Sequence, residues 1–182
     1  MKTLVIYDSV YGNTEIIARS IAAAIPGEVQ VRRLGQVNPG DVQAVDLLIV
    51  GSPTHGALPT EAVRAWLATL GGPAHAGIRA AAFDTRLTWA LLERWGGFAA
   101  PKMAETLRGK GWTLAGEPGG FFVRGLKKGP LKRGEADRAA AWFVARAADA
   151  AEEAWKTRAA GSIGWAYTHA VVGHNRRAMY KN

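Results

Sequence analysis

Three short stretches hold most of the side chains able to do chemistry. The first is Ser9-Val10-Tyr11-Gly12-Asn13-Thr14. It lies between an apolar run and a segment of helical periodicity, so hydroxyls, a side-chain amide and free backbone N–H groups gather at a helix N-terminus. The helix dipole is positive there, and such a loop suits a phosphate. A capped turn, in which Ser9 or Asn13 only starts the helix, uses the same residues. The stretch is neither a G-x-x-x-x-G-K-[ST] loop nor G-x-G-x-x-G, because Gly12 is its only glycine and no lysine follows. The second stretch is Gly51-Ser52-Pro53-Thr54-His55-Gly56-Ala57-Leu58-Pro59-Thr60, and the third is Asp84-Thr85-Arg86.

The elements around these loops follow from hydrophobic periodicity. Thr3 to Tyr7 reads as a buried strand, and Ile16, Ile17, Ser20, Ile21 and Ala24 recur at helical spacing until Pro26-Gly27. Glu28 to Leu34 reads as an edge strand, Asn38-Pro39-Gly40 as a turn, and Leu47 to Val50 as a buried strand. Thr60 caps a helix carrying Val63, Trp66, Leu67 and Leu70, and Gly71-Gly72-Pro73 ends it. Ile78 to Phe83 is a strand of small residues with Asp84-Thr85-Arg86 as a loop at its end, and residues 87–96 read as a short helical turn. Pro101 to Arg108 is a helix with Met103, Ala104 and Leu107 inward. A last strand starts at Trp112-Thr113-Leu114, is interrupted at Gly119-Gly120, and resumes at Phe121. A helix from Ala136 to about Arg158 presents Ala139, Phe143, Ala147 and Ala150 on one side.

Strands alternating with helices predict an α/β three-layer sandwich: a five-stranded parallel sheet with helices on both faces. In such a sheet ligands sit beyond the carboxyl ends of the strands, where strand order reverses. The three loops follow the first, third and fourth strands; if the strand order is 2-1-3-4-5, those strands are neighbours and the loops line one crevice.

At this point the chain resembles the flavodoxin family. Ser9 to Thr14 resembles the phosphate loop for FMN, Ser52-Pro53-Thr54-His55-Gly56 the second flavin loop, and Phe83-Asp84-Thr85-Arg86 the third. The resemblance implies the strand order 2-1-3-4-5 and an FMN cofactor bound by Ser9, Val10, Tyr11, Gly12, Asn13, Thr14, Pro53, Thr54, His55, Gly56, Asp84, Thr85 and Arg86. Pro53 to Gly56 would lie along the isoalloxazine ring, and Thr85 and Arg86 would hold its pyrimidine edge. A loop peptide at Gly56 that flips its carbonyl toward a protonated N5 would tune the potentials, and glycine tolerates the positive φ this needs. Gly56 as a plain turn residue, and Arg86 paired with Asp84 for structure, are the competing readings. The chain departs from the family in lacking aromatic ring sandwiches in the second loop, where only His55 and Leu58 stand. It also departs in charge, because flavodoxins are typically acidic.

The 182 residues form one domain by length, expected as 1–160 with a tail at 161–182. With no cysteine and four scattered histidines, thiol chemistry and metal ligation are not expected. No apolar run approaches a membrane span, and no secretory signal opens the chain, so a cytoplasmic protein is expected. The net charge is +8. Residues 1–100 hold eight bases and eight acids, whereas residues 101–182 hold fifteen bases and seven acids. Arg124, Lys127, Lys128, Lys132 and Arg133 form an acid-free run that favours an acidic protein partner, nucleic acid or a membrane surface, without choosing among them. No nucleic-acid motif accompanies it, so nucleic acid is not expected. Three functions stay open: an electron carrier between redox proteins, an FMN enzyme of the NAD(P)H:quinone reductase type, and a cofactor-less binding module.

Overall fold

A computed structural model describes residues 1–74, 77–87, 97–125 and 129–156. Of the helical turn expected at 87–96, Leu87 is strand and residues 88–96 lie outside the described residues, as do Lys127 and Lys128 of the basic run and the tail at 161–182.

The strands are β1 (Lys2–Tyr7), β2 (Glu28–Arg33), β3 (Leu47–Pro53), β4 (Arg79–Leu87), β5 (Thr113–Leu114) and β6 (Gly119–Val123). The helices are α1 (Asn13–Ala23), α2 (Pro39–Gln43), α3 (Glu61–Thr69), α4 (Ala99–Gly109) and α5 (Glu135–Lys156). The sheet order is β2-β1-β3-β4-β5, with β6 also on β4, and all of these pairings are parallel. The expected order is therefore borne out, with the fifth strand in two pieces. The break falls at residues 115–118, earlier than expected. Gly119 and Gly120 pair with Phe83 and Asp84 and belong to β6.

Side-chain alternation places the two cores. On one face Leu4, Ile6, Leu48, Val50, Ala80 and Ala82 pack with Val63 and Leu67 of α3 and Met103, Ala104 and Leu107 of α4. On the other, Val5, Tyr7, Leu47, Ile49, Ala81, Phe83 and Phe121 meet Ile17, Ala18 and Ile21 of α1 and Ala139 and Phe143 of α5. Successive strand residues point to opposite faces, so a strand covered on both sides is apolar at every position. Every residue of β3 is buried. Trp112 joins the first core, with Trp66 packed against it, and Trp142 lies against the second.

The chain departs from its sequence pattern in five places. Ile16 is 49% exposed, because α1 buries Thr14, Ile17, Ala18 and Ile21 at spacings of three and four. The turn expected at Asn38-Pro39-Gly40 opens the short helix α2, and Asp41 accepts the Asn38 N–H at 2.9 Å. Helix α4 starts at Ala99, before Pro101. Asp84, Thr85 and Arg86 are not a loop: β4 runs to Leu87, because β3 pairs as far as Thr85 and β6 pairs as far as Leu87. At the other end of α5 Ala147 is exposed, and Ala150 lies outside the described side chains.

Small residues in the sheet make room for large ones. A Cβ on Gly51 would fall within the Phe83 ring, which packs edge-on to Phe121 with centroids 6.1 Å apart. Gly51→Ala should destabilise the fold by about 1–3 kcal/mol through overpacking, read as a lower urea midpoint with an unchanged m-value.

Candidate functional site

Tyr7 ends β1, and the next residue fixes the first loop. The Asp8 carboxylate accepts the Ser9 N–H at 2.8 Å and the Thr60 hydroxyl at 2.7 Å. Thr60 in turn accepts the Val63 N–H at 3.4 Å, capping α3 as expected. Its own N–H goes to the Ser52 hydroxyl at 3.0 Å. The first two loops are thus tied together through Asp8, Ser52 and Thr60. Arg33, at the end of β2, donates to the Ser9 carbonyl at 3.0 Å.

Within the first loop the Ser9 hydroxyl accepts the Gly12 N–H at 3.0 Å. Gly12 sits at the N-cap of α1 with φ of 89°, a left-handed conformation that favours glycine. Ser9 keeps its own O–H to donate. The N–H groups of Asn13, Thr14 and Glu15 are in the first helical turn, which has no intrahelical acceptor for them. Thr14 and Thr85 join hydroxyls at 3.0 Å, linking this loop to β4. Asn13 donates across to the Gly129 carbonyl at 2.7 Å.

The second loop leaves β3 with the Thr54 N–H bonded to the Thr85 carbonyl at 2.9 Å. His55 and Leu58 exchange backbone bonds of 2.9 and 3.0 Å around Gly56 and Ala57, whose φ values are 56° and 65°. Positive φ at both central positions is the mark of a type I′ turn. Ala57 is the one non-glycine residue with positive φ among the described residues.

Asp84 is fully buried. Arg86 meets it with two bonds, at 2.5 and 2.9 Å, and lies over the Phe98 ring, 3.8 Å from the centroid. The guanidinium also covers Gly120, where a Cβ would strike it. The Asp84 carboxylate accepts the Ala100 N–H at 2.7 Å, and the Thr54 hydroxyl accepts the Ala99 N–H at 3.0 Å. Together they satisfy the N-terminus of α4, which explains its start at Ala99. Burial pushes the Asp84 carboxyl above the ordinary carboxylate range, while Arg86, Ala100 and Thr54 pull the other way.

A cleft opens at the carboxyl ends of β1, β3, β4 and β6. Val10, Tyr11, Asn13, Thr14, Pro53, Thr54, His55, Thr85 and Arg86 line it. Four of the expected residues are set apart from that lining. Ser9 and Gly12 shape the first loop from within, Gly56 is in the turn of the second, and Asp84 stands behind Arg86. Leu87, Val123, Gly125 and Gly129 also line the cleft and were not expected. Gly125 and Gly129 lie within the basic run, where charge is the dominant sequence signal and backbone placement leaves none. Val10, Tyr11 and Leu58 are 49%, 49% and 38% exposed, which makes an apolar border beside the polar loops. Among the described residues no His, Asp or Glu cluster is gathered for a metal, and no helix is long and apolar enough to cross a membrane.

Removing one partner of a buried pair leaves the other charge uncompensated. Arg86→Ala should therefore cost about 3–5 kcal/mol in urea unfolding, and the added Asp84→Ala should recover part of it in a double-mutant cycle.

A family model described as a flavodoxin domain matches residues 4–91. No curated protein matches the sequence. Among solved structures, a flavodoxin from the domain Archaea is similar with a TM-score of 0.64 and 21% identity, over 82% of this chain and 98% of that one. Flavodoxin 2 from Bacillus cereus gives 0.65 and 22%, over 82% and 99%. The rubredoxin oxygen:oxidoreductase of Desulfovibrio gigas gives 0.62 and 22%, over 82% of this chain and 36% of that one. The sheet order agrees with these structures: the chain has a flavodoxin-like fold, and residues 4–91 within it match the flavodoxin domain model.

Proposed function

We propose that this protein binds FMN in the cleft at the strand ends and passes electrons between redox partners. The observation that carries the reading is the convergence of loops from three adjacent strands on one cleft, with nine of the thirteen residues expected from sequence in its lining. FMN, when bound, supplies the one- and two-electron chemistry. The residues of this chain bind and orient it. The Ser9 hydroxyl and the first-turn N–H groups of α1 offer donors to a phosphate at the positive end of the helix dipole. Val10, Tyr11, Pro53, His55 and Leu87 give the cleft its less polar walls.

The turn at Gly56-Ala57 supports a tuning role. Turning its central peptide over converts type I′ into type II′, in which only the first position keeps positive φ. Gly56 accepts both states, and Ala57 is relieved of a conformation that costs a side-chain residue about 1 kcal/mol or more. The peptide can therefore present either its N–H or its carbonyl at low cost. A basic second half fits an acidic redox partner, and the expected cytoplasmic location goes with that role.

Thr14→Ala should weaken FMN binding by about 1–3 kcal/mol, measured by fluorescence quenching on titration of the flavin-free protein. An unchanged affinity would place the phosphate elsewhere. Gly56→Val should narrow the separation of the two one-electron potentials more than it weakens binding, because valine resists positive φ in either turn. Spectroelectrochemistry reads this directly. Rapid bleaching by NAD(P)H with quinone turnover would replace the carrier by a quinone reductase. A protein that takes up no FMN would leave the cofactor-less binding module.

A further inference from the structure

The cleft has one wall that belongs to none of the three loops. After β6 the chain turns back, with an antiparallel bridge between Val123 and Leu131. The Arg124 N–H bonds the Pro130 carbonyl at 2.8 Å, and the Lys132 N–H bonds the Phe122 carbonyl at 2.9 Å. The base of this arm is fixed to α5: the Phe122 N–H meets the Glu135 carboxylate at 2.8 Å, and Glu135 is buried and paired with Arg138. The far end is held differently. There the Gly129 carbonyl accepts the side-chain amide of Asn13, 116 residues away in sequence, at 2.7 Å. Gly129 packs so closely on the Arg124 carbonyl that a Cβ at this position would coincide with it. The pairing of Arg124 with Pro130 therefore requires glycine at 129.

Val123, Gly125 and Gly129 line the same cleft as Val10, Tyr11 and Asn13. An amide N–H directed at a carbonyl on the neighbouring arm is not directed at an anion, and it fixes the distance between the two walls. The arm also carries Arg124, Lys132 and Arg133 with no acid between 124 and 133, so it brings positive charge to the side of the phosphate loop.

We propose that the paired backbone of Val123–Gly125 and Gly129–Leu131 is a fourth wall of the cofactor cleft, and that the side chain of Asn13 positions this wall and is not itself a phosphate ligand. This rests on the FMN reading. A ligand of the phosphate would matter for FMN alone, whereas a strut between walls matters for any flavin in the cleft.

The test is a pair of titrations, with FMN and with riboflavin, on the flavin-free full chain, Asn13→Ala, Asn13→Asp, Gly129→Ala and the Asn13→Ala/Gly129→Ala pair. Asn13→Ala and Gly129→Ala should each weaken FMN and riboflavin by the same factor, about tenfold for one lost hydrogen bond. The pair should be no weaker than the worse single variant, since both break one contact. Asn13→Asp keeps the shape, removes the donor, and should also weaken both flavins. Tryptic cleavage after Arg124 in the flavin-free protein, followed by mass spectrometry, should speed up in all of these variants with the melting midpoint nearly unchanged. Loss of FMN affinity with riboflavin unaffected would overturn the proposal, as would factors for Asn13→Ala and Gly129→Ala that multiply. Wild type that binds neither flavin would overturn the FMN reading and the wall together. That outcome is distinct, because in the others the wild type binds and only the variants respond differently.

Discussion

A carboxylate without access to solvent stands where the walls of the cleft meet. Asp84 is fully buried, and it keeps its place by accepting two bonds from Arg86 and one from the Ala100 N–H. Each bond fixes a different part. Arg86 is drawn over Phe98 and against Gly120 of β6, and Ala100 sets the start of α4. Thr54, just past the end of β3, takes the Ala99 N–H of the same helix. A buried charge is tolerated only when such partners are complete, so the strand ends, the helix start and the cleft wall form one assembly. Arg86 enters the cleft lining already oriented by this assembly.

The first loop obeys a second, lighter set of constraints. Asp8 gathers the Ser9 N–H and the Thr60 hydroxyl, Ser52 takes the Thr60 N–H, and Gly12 closes back on Ser9. These bonds hold the loop in shape while leaving the first-turn donors of α1 without helical acceptors. A preorganised ring of this kind suits anion binding, because little ordering remains to be done when the ligand arrives. The second loop is different in kind. Its turn holds Ala57 at positive φ, a local strain set beside the cleft.

Most of the sheet was legible in the sequence because its signals are local. Leu4/Val5, Leu48/Ile49 and Ala80/Ala81 show the two faces by alternation, and regular βα succession leaves few topologies. The strand, loop and helix from Lys2 to Ala23 were legible because the residue types change sharply between Tyr7 and Asn13. What stayed hidden depends on distant partners. Asp84-Thr85-Arg86 has the composition of a loop, and it becomes strand only because Gly120 to Phe122 come to lie beside it. The wall at Gly129 rests on an amide from Asn13 at the other end of the chain. Ile16 has the right type for the core but the wrong phase, since the face of α1 is set by Thr14, Ile17 and Ile21.

The most direct test of one cofactor cleft at the strand ends is an amide-resolved proton–nitrogen spectrum of the flavin-free protein, recorded as FMN is added. The account predicts that the largest shifts fall on Ser9 to Thr14, with further shifts at Thr54 to Gly56 and at Thr85 and Arg86. Shifts confined to another part of the molecule, such as the cavity lined by Leu47, Ala81, Trp142 and Phe143 on the α5 side of the sheet, would contradict it. So would a spectrum that FMN leaves unchanged.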